Sequence, residues 1–401
     1  MARVIIFLNR LIIGGTALDT IQMANSLSEE HEVFLVVGEK LNDEYDAFFL
    51  AGDLQKVKVI ALHDLHRSVY LSRDITAFFK IRRLIRDIKP DIVHTNGAKP
   101  GFLCRIAARL SGVKIILHTY HGHVFHSYFN SFVSRIIILL ERLLARITTR
   151  IIALSDSQKK ELVEKYRIAD ESKIEVIRMS IDTSKFNGSL ASKREKFRAD
   201  YLVHPDEIAI GIVGRIVPVK NHHLFLEVSA EILKNTNKKV RFFIVGDGIL
   251  RQELEEKLLA DNLPFTHFPA NPVRKAITFT SWILNVEEVM AGLDIVVLTS
   301  LNEGTPISLM EAQAAGTPVV STNVGAVNEL VLHEKTGLIV AANTKEDIVT
   351  ALMRLIENNS LREKMGIEGH RFIHEHFSKK HQLESIKNLY RNLLSSSFHH
   401  P

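Results

Sequence analysis

Residues 294–321 read DIVVLTSLNEGTPISLMEAQAAGTPVVS. The short apolar run Asp294–Thr299 reads as a buried strand. A loop carrying Asn302, Glu303 and Gly304 follows, then a helix over Ile307–Ala315, with Pro306 suited to its first turn. Pro318–Ser321 reads as the next strand. A strand, a helix and a second strand make a βαβ unit, which requires a parallel sheet with helices on its faces.

The same alternation extends in both directions. Upstream, Ile208–Val213 and Val240–Val245 read as strands, and Asn221–Leu233 and Leu250–Leu259 as helices. Downstream, helices are expected near Lys345–Asn358 and Lys379–Leu394. The first half carries its own series, with strands at Val4–Leu8, Glu32–Val37, Val57–Ala61, Asp91–His94, Lys114–His118 and Arg150–Leu154. Helices over Ala17–Leu27, Asp74–Ile88 and Gly101–Ser111 alternate with them. The fold class is α/β, with two Rossmann-like, doubly wound parallel-sheet domains facing a cleft. The polar stretch Asn187–Arg198 (NGSLASKREKFR) reads as the junction between them. The expected domains are 1–190, 191–375, and a terminal helix in 376–401 that packs back on the first domain. Ligands of such sheets bind at the carboxyl ends of the strands.

Length and composition agree. The chain has 401 residues, 46% of them hydrophobic and 24% charged, values of an ordinary globular protein of about two domains. This excludes disordered, collagen-like and disulfide-scaffold classes. The single cysteine, Cys104, cannot form an intrachain disulfide. No apolar run approaches the roughly 20 residues that span a bilayer. The run Val4–Leu8, followed at once by Asn9 and Arg10, is too short for a signal segment, so a cytoplasmic location is expected. The net charge of +5 is no nucleic-acid footprint, and the aromatic residues, at 7%, do not interleave with a basic patch. A mild positive charge does suit an anionic substrate or an anionic membrane surface.

Four motifs fall at strand ends in the second half. The first, Gly214-Arg215-Ile216-Val217-Pro218-Val219-Lys220-Asn221, places two cations five residues apart after a glycine turn. Such a pair can straddle a diphosphate, although a solvated basic loop is its ordinary reading. It lacks the spacing of a Walker A loop. The second, Ile244-Val245-Gly246-Asp247-Gly248, has the shape of a nucleotide loop, although most such turns merely end a strand. There, Asp247 is expected to brace the turn. The third places Glu303 in a loop and Glu311 in the following helix, whose amino end suits anionic or hydroxyl-rich ligands. Such glutamates are usually surface charge, but the small run Ala312–Gly316 after Glu311 suggests that it faces a cleft. The fourth, Ala315-Gly316-Thr317-Pro318-Val319-Val320, leads into the turn at Gly325.

In order and spacing, this set resembles the retaining glycosyltransferases of family 4, which have the GT-B fold. The resemblance extends over nearly the whole chain and is strongest over 208–340. It implies that Arg215 and Lys220 hold the diphosphate of a nucleotide-sugar donor and neutralise the leaving group. It implies that Glu311 accepts both ribose hydroxyls, that Glu303 lies beside the donor sugar, and that Gly214, Gly246 and Gly248 shape the donor loops. The segment Gly304, Thr305, Pro306, Ile307, Ser308 and Leu309 corresponds to one that contacts sugar and phosphate. In the first half, Gly14 and Gly15 correspond to a loop that closes on the donor. His121 corresponds to a histidine that contacts the donor sugar, with a role in hydrogen bonding and orientation. The implied catalytic set is His121, Glu303, Arg215 and Lys220.

The sequence contains no Asp-x-Asp pair, the usual carboxylate holder for a metal-bound nucleotide sugar. Metal-independent transfer with no cofactor is therefore expected. His118, His121 and His123, with His126 beyond, do not have zinc-finger spacing and have no cysteine nearby. His94 also closes a strand, and structure alone accounts for it as well as function does. Where the family usually reads Asn-Gly-Ile-Asp, this chain has Met179-Ser180-Ile181-Asp182. Retention of configuration leaves two routes. A double displacement needs a carboxylate at the anomeric carbon, and none is identifiable. A same-face route, in which the leaving phosphate takes the acceptor's proton, is the one the resemblance favours.

Two basic amphipathic stretches, Lys80–Lys89 and Ser134–Arg150, could lie on anionic lipid or pack on the sheet in the ordinary way. The expected reaction moves a sugar, with a UDP-sugar favoured as donor, to a glycan or lipid-linked acceptor in surface polysaccharide or glycolipid assembly. The expected protein is cytoplasmic or peripheral on the inner membrane face. A nucleotide-sugar epimerase or hydrolase acting without an acceptor is the alternative. A dinucleotide dehydrogenase is remote, because its Gly-x-Gly-x-x-Gly fingerprint is missing after the first strand.

Overall fold

The structure is a computed structural model. It describes residues 1–11, 15–38, 54, 56–65, 71–121, 131–341 and 344–397. The chain divides into two units, Met1–Met179 with Lys380–Pro401, and Ser180–Lys379.

The first unit contains β1 (Arg3–Leu8), α1 (Gly15–Leu27), β2 (Glu32–Gly38), β3 (Val57–Leu62), α2 (Leu71–Ile88), β4 (Ile92–Asn96) and α3 (Ala98–Leu110). β5 (Ile115–Tyr120), α4 (Ser131–Ile147), β6 (Arg150–Ala153), α5 (Asp156–Lys160) and β7 (Ile174–Val176) follow. Among the described residues, these strands form one parallel sheet in the order β3-β2-β1-β4-β5-β6-β7. β1 is apolar throughout because both of its faces are covered. Val4, Ile6 and Leu8 face a core that includes Ala17, Ile21 and Ala24 of α1, whereas Ile5 and Phe7 face one that includes Ile81 of α2 and Leu103 of α3.

The second unit opens with α6 (Leu190–Asp200), β8 (Ile208–Val213), α7 (His222–Asn235), β9 (Val240–Val245) and α8 (Arg251–Ala260). It continues through β10 (Phe265–His267), β11 (Ile277–Ser281), α9 (Val286–Gly292), β12 (Ile295–Leu298) and α10 (Ile307–Ala314). β13 (Val319–Thr322), α11 (Val327–Leu330), β14 (Gly337–Val340), α12 (Lys345–Glu357) and α13 (Asn359–His376) complete it. Its strands are also all parallel, in the order β10-β11-β9-β8-β12-β13-β14. The expected pair of doubly wound α/β sheets is therefore present. The strand order reverses between β1 and β4 in one sheet and between β8 and β12 in the other, and at such switch points the loops part to admit ligands.

The last helix, α14 (Lys379–Ser397), belongs almost wholly to the first unit. Its Ile386, Leu389, Tyr390 and Leu393 join the core on the α1 side of the first sheet. The phenol of Tyr390 lies 2.8 Å from His94 Nδ1, and His94 Nε2 lies 2.7 Å from Thr119 Oγ1. Both ring nitrogens of His94 are thus partnered inside the protein, and burial holds its pKa down, to about 3.

The stretch Asn187–Arg198, read from its polarity as a junction, differs in the structure. From Leu190 onward it is α6, a helix of the second unit packed on α9. Phe197 and Arg198 are buried, and Arg194 and Arg198 bind the Asp294 carboxylate at 2.6 and 3.1 Å. Two of its arginines therefore answer to a distant carboxylate, while Asn187, Ser189, Ser192, Glu195 and Lys196 remain exposed. The segment Met179-Ser180-Ile181-Asp182 lies at the boundary between the units. Ile181 bridges Ser378 in parallel, and Asp182 caps a short 3-10 turn at Thr183–Phe186.

The two basic amphipathic helices part ways. Ile81 and Ile85 of α2 are in the core, with Leu84 and Ile88 packed against it, so α2 is an ordinary sheet-covering helix. α4 packs Ile137, Ile138, Leu144 and Ala145 inward but carries five other apolar residues outward. Phe132 is 71% exposed and Leu139 57%, and Ile136, Leu140 and Leu143 are exposed too. Its buried side chains include Glu141, whose carboxylate takes hydrogen bonds from Arg105, at 2.6 Å, and from the Tyr120 hydroxyl, at 2.5 Å.

Candidate active site

Three loops meet at the carboxyl ends of β8, β9 and β12, beside the switch point. Glycine allows their close approach. Gly246 has φ +132°, and a Cβ there would lie 2.0 Å from the Gly214 carbonyl oxygen. A Cβ on Gly248 would lie 2.3 Å from the Ile216 carbonyl oxygen. Any side chain at either position would force the loops apart. Backbone bonds join the first two loops, from Gly214 N to Val245 O and from Ile216 N to Asp247 O, both at 2.9 Å. Asp247 accepts from Gly248 N, from Arg251 Nη1 and from Ser281 Oγ. It braces the turn, as its place in the motif suggested.

The loop after β12 is pinned to the loop after β8. Leu301 N donates to Val219 O, and the Thr299 hydroxyl donates to Lys220 O. The pinning brings Lys220 to Glu303, with Nζ 2.6 Å from Oε1. The same carboxylate oxygen accepts from Ser300 Oγ at 2.6 Å. Ser300 is fully buried, and its own carbonyl accepts from Thr322 Oγ1. Arg215, at the start of the first loop, is exposed and makes no ion pair with a described residue. The site therefore offers one cation engaged by a carboxylate and one held in reserve.

α10 begins immediately beyond. Pro306 is its N-cap residue rather than its first helical residue, and no side chain caps this end. The first-turn amides of Ile307 and Ser308 have no intrahelical acceptor, and the positive end of the helix dipole faces the Gly304–Thr305 turn. That turn is held by Ala326 N donating to Gly304 O, and by Gly325, whose φ of +55° brings it against the Glu303 carbonyl. Leu309 is buried, as its apolar character dictates. Glu311 lies one turn along α10 and forms no hydrogen bond or ion pair with a described residue. Burial raises its pKa, to about 8, with Lys185 opposing the rise and Glu287 adding to it. Its side chain retains some exposure, so the crowding comes from surrounding protein rather than from complete enclosure.

Gly15 opens α1, while Gly14 lies outside the described residues, as do His123 and His126. His121 directly follows β5, and its Nε2 is 2.8 Å from Asn96 Oδ1 at the end of β4. His118 is buried within the sheet, and its Nδ1 meets Thr95 Oγ1. Among the described residues, no group of three or more His, Cys, Asp or Glu is arranged to hold a metal.

Sequence reasoning assigned no role to Ser300 or Asn96. Ser300 lies three residues before Glu303, a spacing at which a hydroxyl can reach a carboxylate, and Asn96 is a polar residue at a strand's carboxyl end. Those were the available signals.

Residues 193–372 match the family described as glycosyl transferases group 1, and residues 13–185 match glycosyltransferase family 4. The chain belongs to this family of glycosyltransferases. A UDP-Gal:alpha-D-GlcNAc-diphosphoundecaprenol alpha-1,3-galactosyltransferase of Escherichia coli is 31% identical to it over 342 residues, 84% of each chain. The capsular polysaccharide biosynthesis glycosyltransferase CapM of Staphylococcus aureus is 27% identical over 341 residues, 83% of this chain and 85% of that one. The crystal structure of HepE from Anabaena with UDP and glucose matches with a TM-score of 0.79 at 17% identity, covering 99% of this chain and 100% of that one. The fold is GT-B, and the activity is glycosyl transfer.

Proposed function

We propose that this chain transfers a sugar from a UDP-sugar to a glycan or lipid-linked acceptor in surface polysaccharide or glycolipid assembly, with retention of configuration and without a metal. The observation that carries this reading is the set at the β8/β12 switch point: Arg215, the Lys220–Glu303 pair, the uncapped end of α10, and Glu311. The printed activities of the Escherichia coli and Staphylococcus aureus relatives support the donor and acceptor classes.

In this reading the diphosphate lies against Arg215, Lys220 and the first-turn amides of α10, and the ribose hydroxyls donate to Glu311. Phosphate competes with Glu303 for Lys220, which turns the Glu303 carboxylate toward hydroxyls of the donor sugar. The bond from the anomeric carbon to the β-phosphate oxygen breaks, and the acceptor oxygen bonds to the same face of that carbon. The acceptor proton passes to the departing phosphate. Arg215 and Lys220 stabilise the charge that grows on that phosphate, the part a divalent cation plays in other transferases. His121 orients the sugar by hydrogen bonding.

The test combines thermal shift with UDP, GDP, ADP and TDP, each with and without EDTA, and acceptor-dependent turnover. Selective stabilisation by UDP, unaffected by EDTA and lost in Glu311→Ala, supports the reading. Loss of turnover in EDTA overturns metal independence, and UDP release without acceptor overturns transfer.

α4 supports a second element of the proposal, peripheral attachment to the inner membrane face. Among the described residues, no helix is long and apolar enough to cross a membrane. α4 instead presents Phe132, Ile136, Leu139, Leu140 and Leu143 to the outside, beside the exposed Arg135, Arg142 and Arg146. An apolar stripe bordered by cations complements an anionic bilayer surface. Co-sedimentation with phosphatidylglycerol vesicles at low salt tests it, and no binding there overturns it.

A further inference from the structure

α10 is packed against α9 and against the short turn Thr183–Phe186, and these two neighbours bring opposite charges to Glu311. Glu311 shares the open stripe of α10 with Ile307 and Ser308, and the rest of the helix is buried. The turn is held firmly. Phe186 is buried, Asp182 Oδ1 accepts from Ser184 N at 3.1 Å and from Ser184 Oγ at 2.6 Å, and Lys193 Nζ donates to the Lys185 carbonyl at 2.5 Å. Lys185 is thus fixed by its backbone, while its side chain is exposed and makes no ion pair with a described residue.

α9 carries two glutamates in its first turn. Lys196 takes Glu288, with Nζ 2.7 Å from Oε2, and leaves Glu287 without an ion pair among the described residues. Two charges therefore act on Glu311 through space, with no bond to it. Burial is the main reason that the Glu311 carboxyl is pushed up, Lys185 opposes the rise, and Glu287 adds to it. The other elements packed on α10 bring little else. β12 and β13 contain no titratable residue. α13 presents His370 and His374, stacked with ring centroids 4.1 Å apart, and His370 Nδ1 is 2.6 Å from the Ala314 carbonyl at the carboxyl end of α10.

We propose that Lys185 is a positioning residue that holds Glu311 in the carboxylate form, with Glu287 set against it, so that this pair fixes the pH at which the site can accept two hydroxyls. The proposal rests on the reading of Glu311 as the ribose acceptor and adds the residues that govern it. A carboxylate accepts on both oxygens, whereas a protonated carboxyl commits one of them to donating. Lys185 acts from an exposed position, so salt screens its effect.

The test titrates Glu311 directly, without nucleotide. In the full-length protein labelled at the glutamate carboxyl carbons, the Glu311 signal is the one lost in Glu311→Gln. Its midpoint is expected to rise in Lys185→Gln and to fall in Glu287→Gln, by about half a pH unit each, and to stay in place in Lys185→Arg. High salt should shrink the Lys185→Gln shift. An unmoved midpoint in either glutamine variant, or a shift in Lys185→Arg as large as in Lys185→Gln, overturns the proposal. Calorimetric titration with UDP reads the consequence. At pH 7, Lys185→Gln is expected to weaken binding about threefold and Glu287→Gln to strengthen it about threefold, and both differences should close by pH 9 as Glu311 becomes ionised in every variant. A difference of the same size at pH 9 overturns the positioning role, because it marks direct contact with the nucleotide. Midpoints that move as expected, with UDP binding unchanged in Glu311→Ala, overturn the ribose reading and leave the electrostatic assignment standing.

Discussion

Lys220 and Glu303 are 83 residues apart in sequence and 2.6 Å apart in space, and Ser300 donates to the same carboxylate oxygen. The lysine that the proposed reading sets against the diphosphate is thus already paired with a carboxylate, and in that reading a donor must displace its partner. The two residues should therefore respond in opposite directions. Lys220→Ala should weaken UDP binding. Glu303→Gln should strengthen it several-fold by leaving the lysine unopposed, yet lower kcat on the order of 100-fold. Calorimetric titration with UDP, beside steady-state kinetics, checks both signs.

If Glu311 holds the ribose as proposed, nucleotide binding should depend on pH. Its pKa is raised to about 8 in the folded protein, and ribose hydroxyls favour the carboxylate. Binding below pH 8 must then expel a proton, so UDP affinity should rise with pH by up to about tenfold per unit and level off above pH 8. The stability sign is opposite. Between the unfolded value of 4.5 and about 8, the folded state binds more protons, so the unliganded protein loses stability as pH rises. Glu311→Gln should raise the Tm at pH 8.5 while weakening UDP binding.

Buried histidines set the acid limit. Burial holds His94 and His222 at about 3, and His118 well below its ordinary value. In the unfolded chain they take up protons near 6.5. Their contribution is complete above that pH and is lost as pH falls toward the folded values, at about 1.4 kcal/mol per pH unit for each histidine. Denaturant midpoints should therefore drop steeply below pH 6. Tyr390→Phe, which leaves His94 Nδ1 without its hydroxyl, should cost about 1–2 kcal/mol at neutral pH.

The outward face of α4 allows the proposed membrane attachment to be tested apart from folding. Leu139 and Leu143 are exposed, so Leu139→Glu and Leu143→Glu should change stability by about 0.5 kcal/mol or less while abolishing vesicle binding. Arg105→Met should instead unfold the helix's anchorage, because it leaves Glu141 buried without its cation.

Much of this was legible in the sequence, and the gaps share one cause. Strands such as Ile208–Val213 and Val240–Val245 announce themselves because burial on both faces makes them apolar throughout. The glycine loops after β8 and β9 were legible because tight turns constrain residue type locally. The short strands Phe265–His267 and Ile277–Ser281 went unread, since Thr266, His267, Thr278 and Ser281 break the apolar signal. α6 passed for a junction because its arginines are satisfied by Asp294, about a hundred residues away. Which way the α4 stripe faces could not be read at all: a helical period is the same for a helix packed inward or outward, and Arg105 decides the matter from another helix. Ser300 and Asn96 are of the same kind, since each matters through the one atom it touches.

The placement of α14 bears on how the molecule is made. Ile386, Leu389, Tyr390 and Leu393 close a core that β1 and α1 begin. During synthesis, those early elements leave the ribosome with that face uncovered, and it stays uncovered while the whole of Ser180–Lys379 is translated. The half of the enzyme born first is the half completed last. Until the final helix arrives, the nascent chain carries an open apolar surface that chaperones can hold and proteases can find.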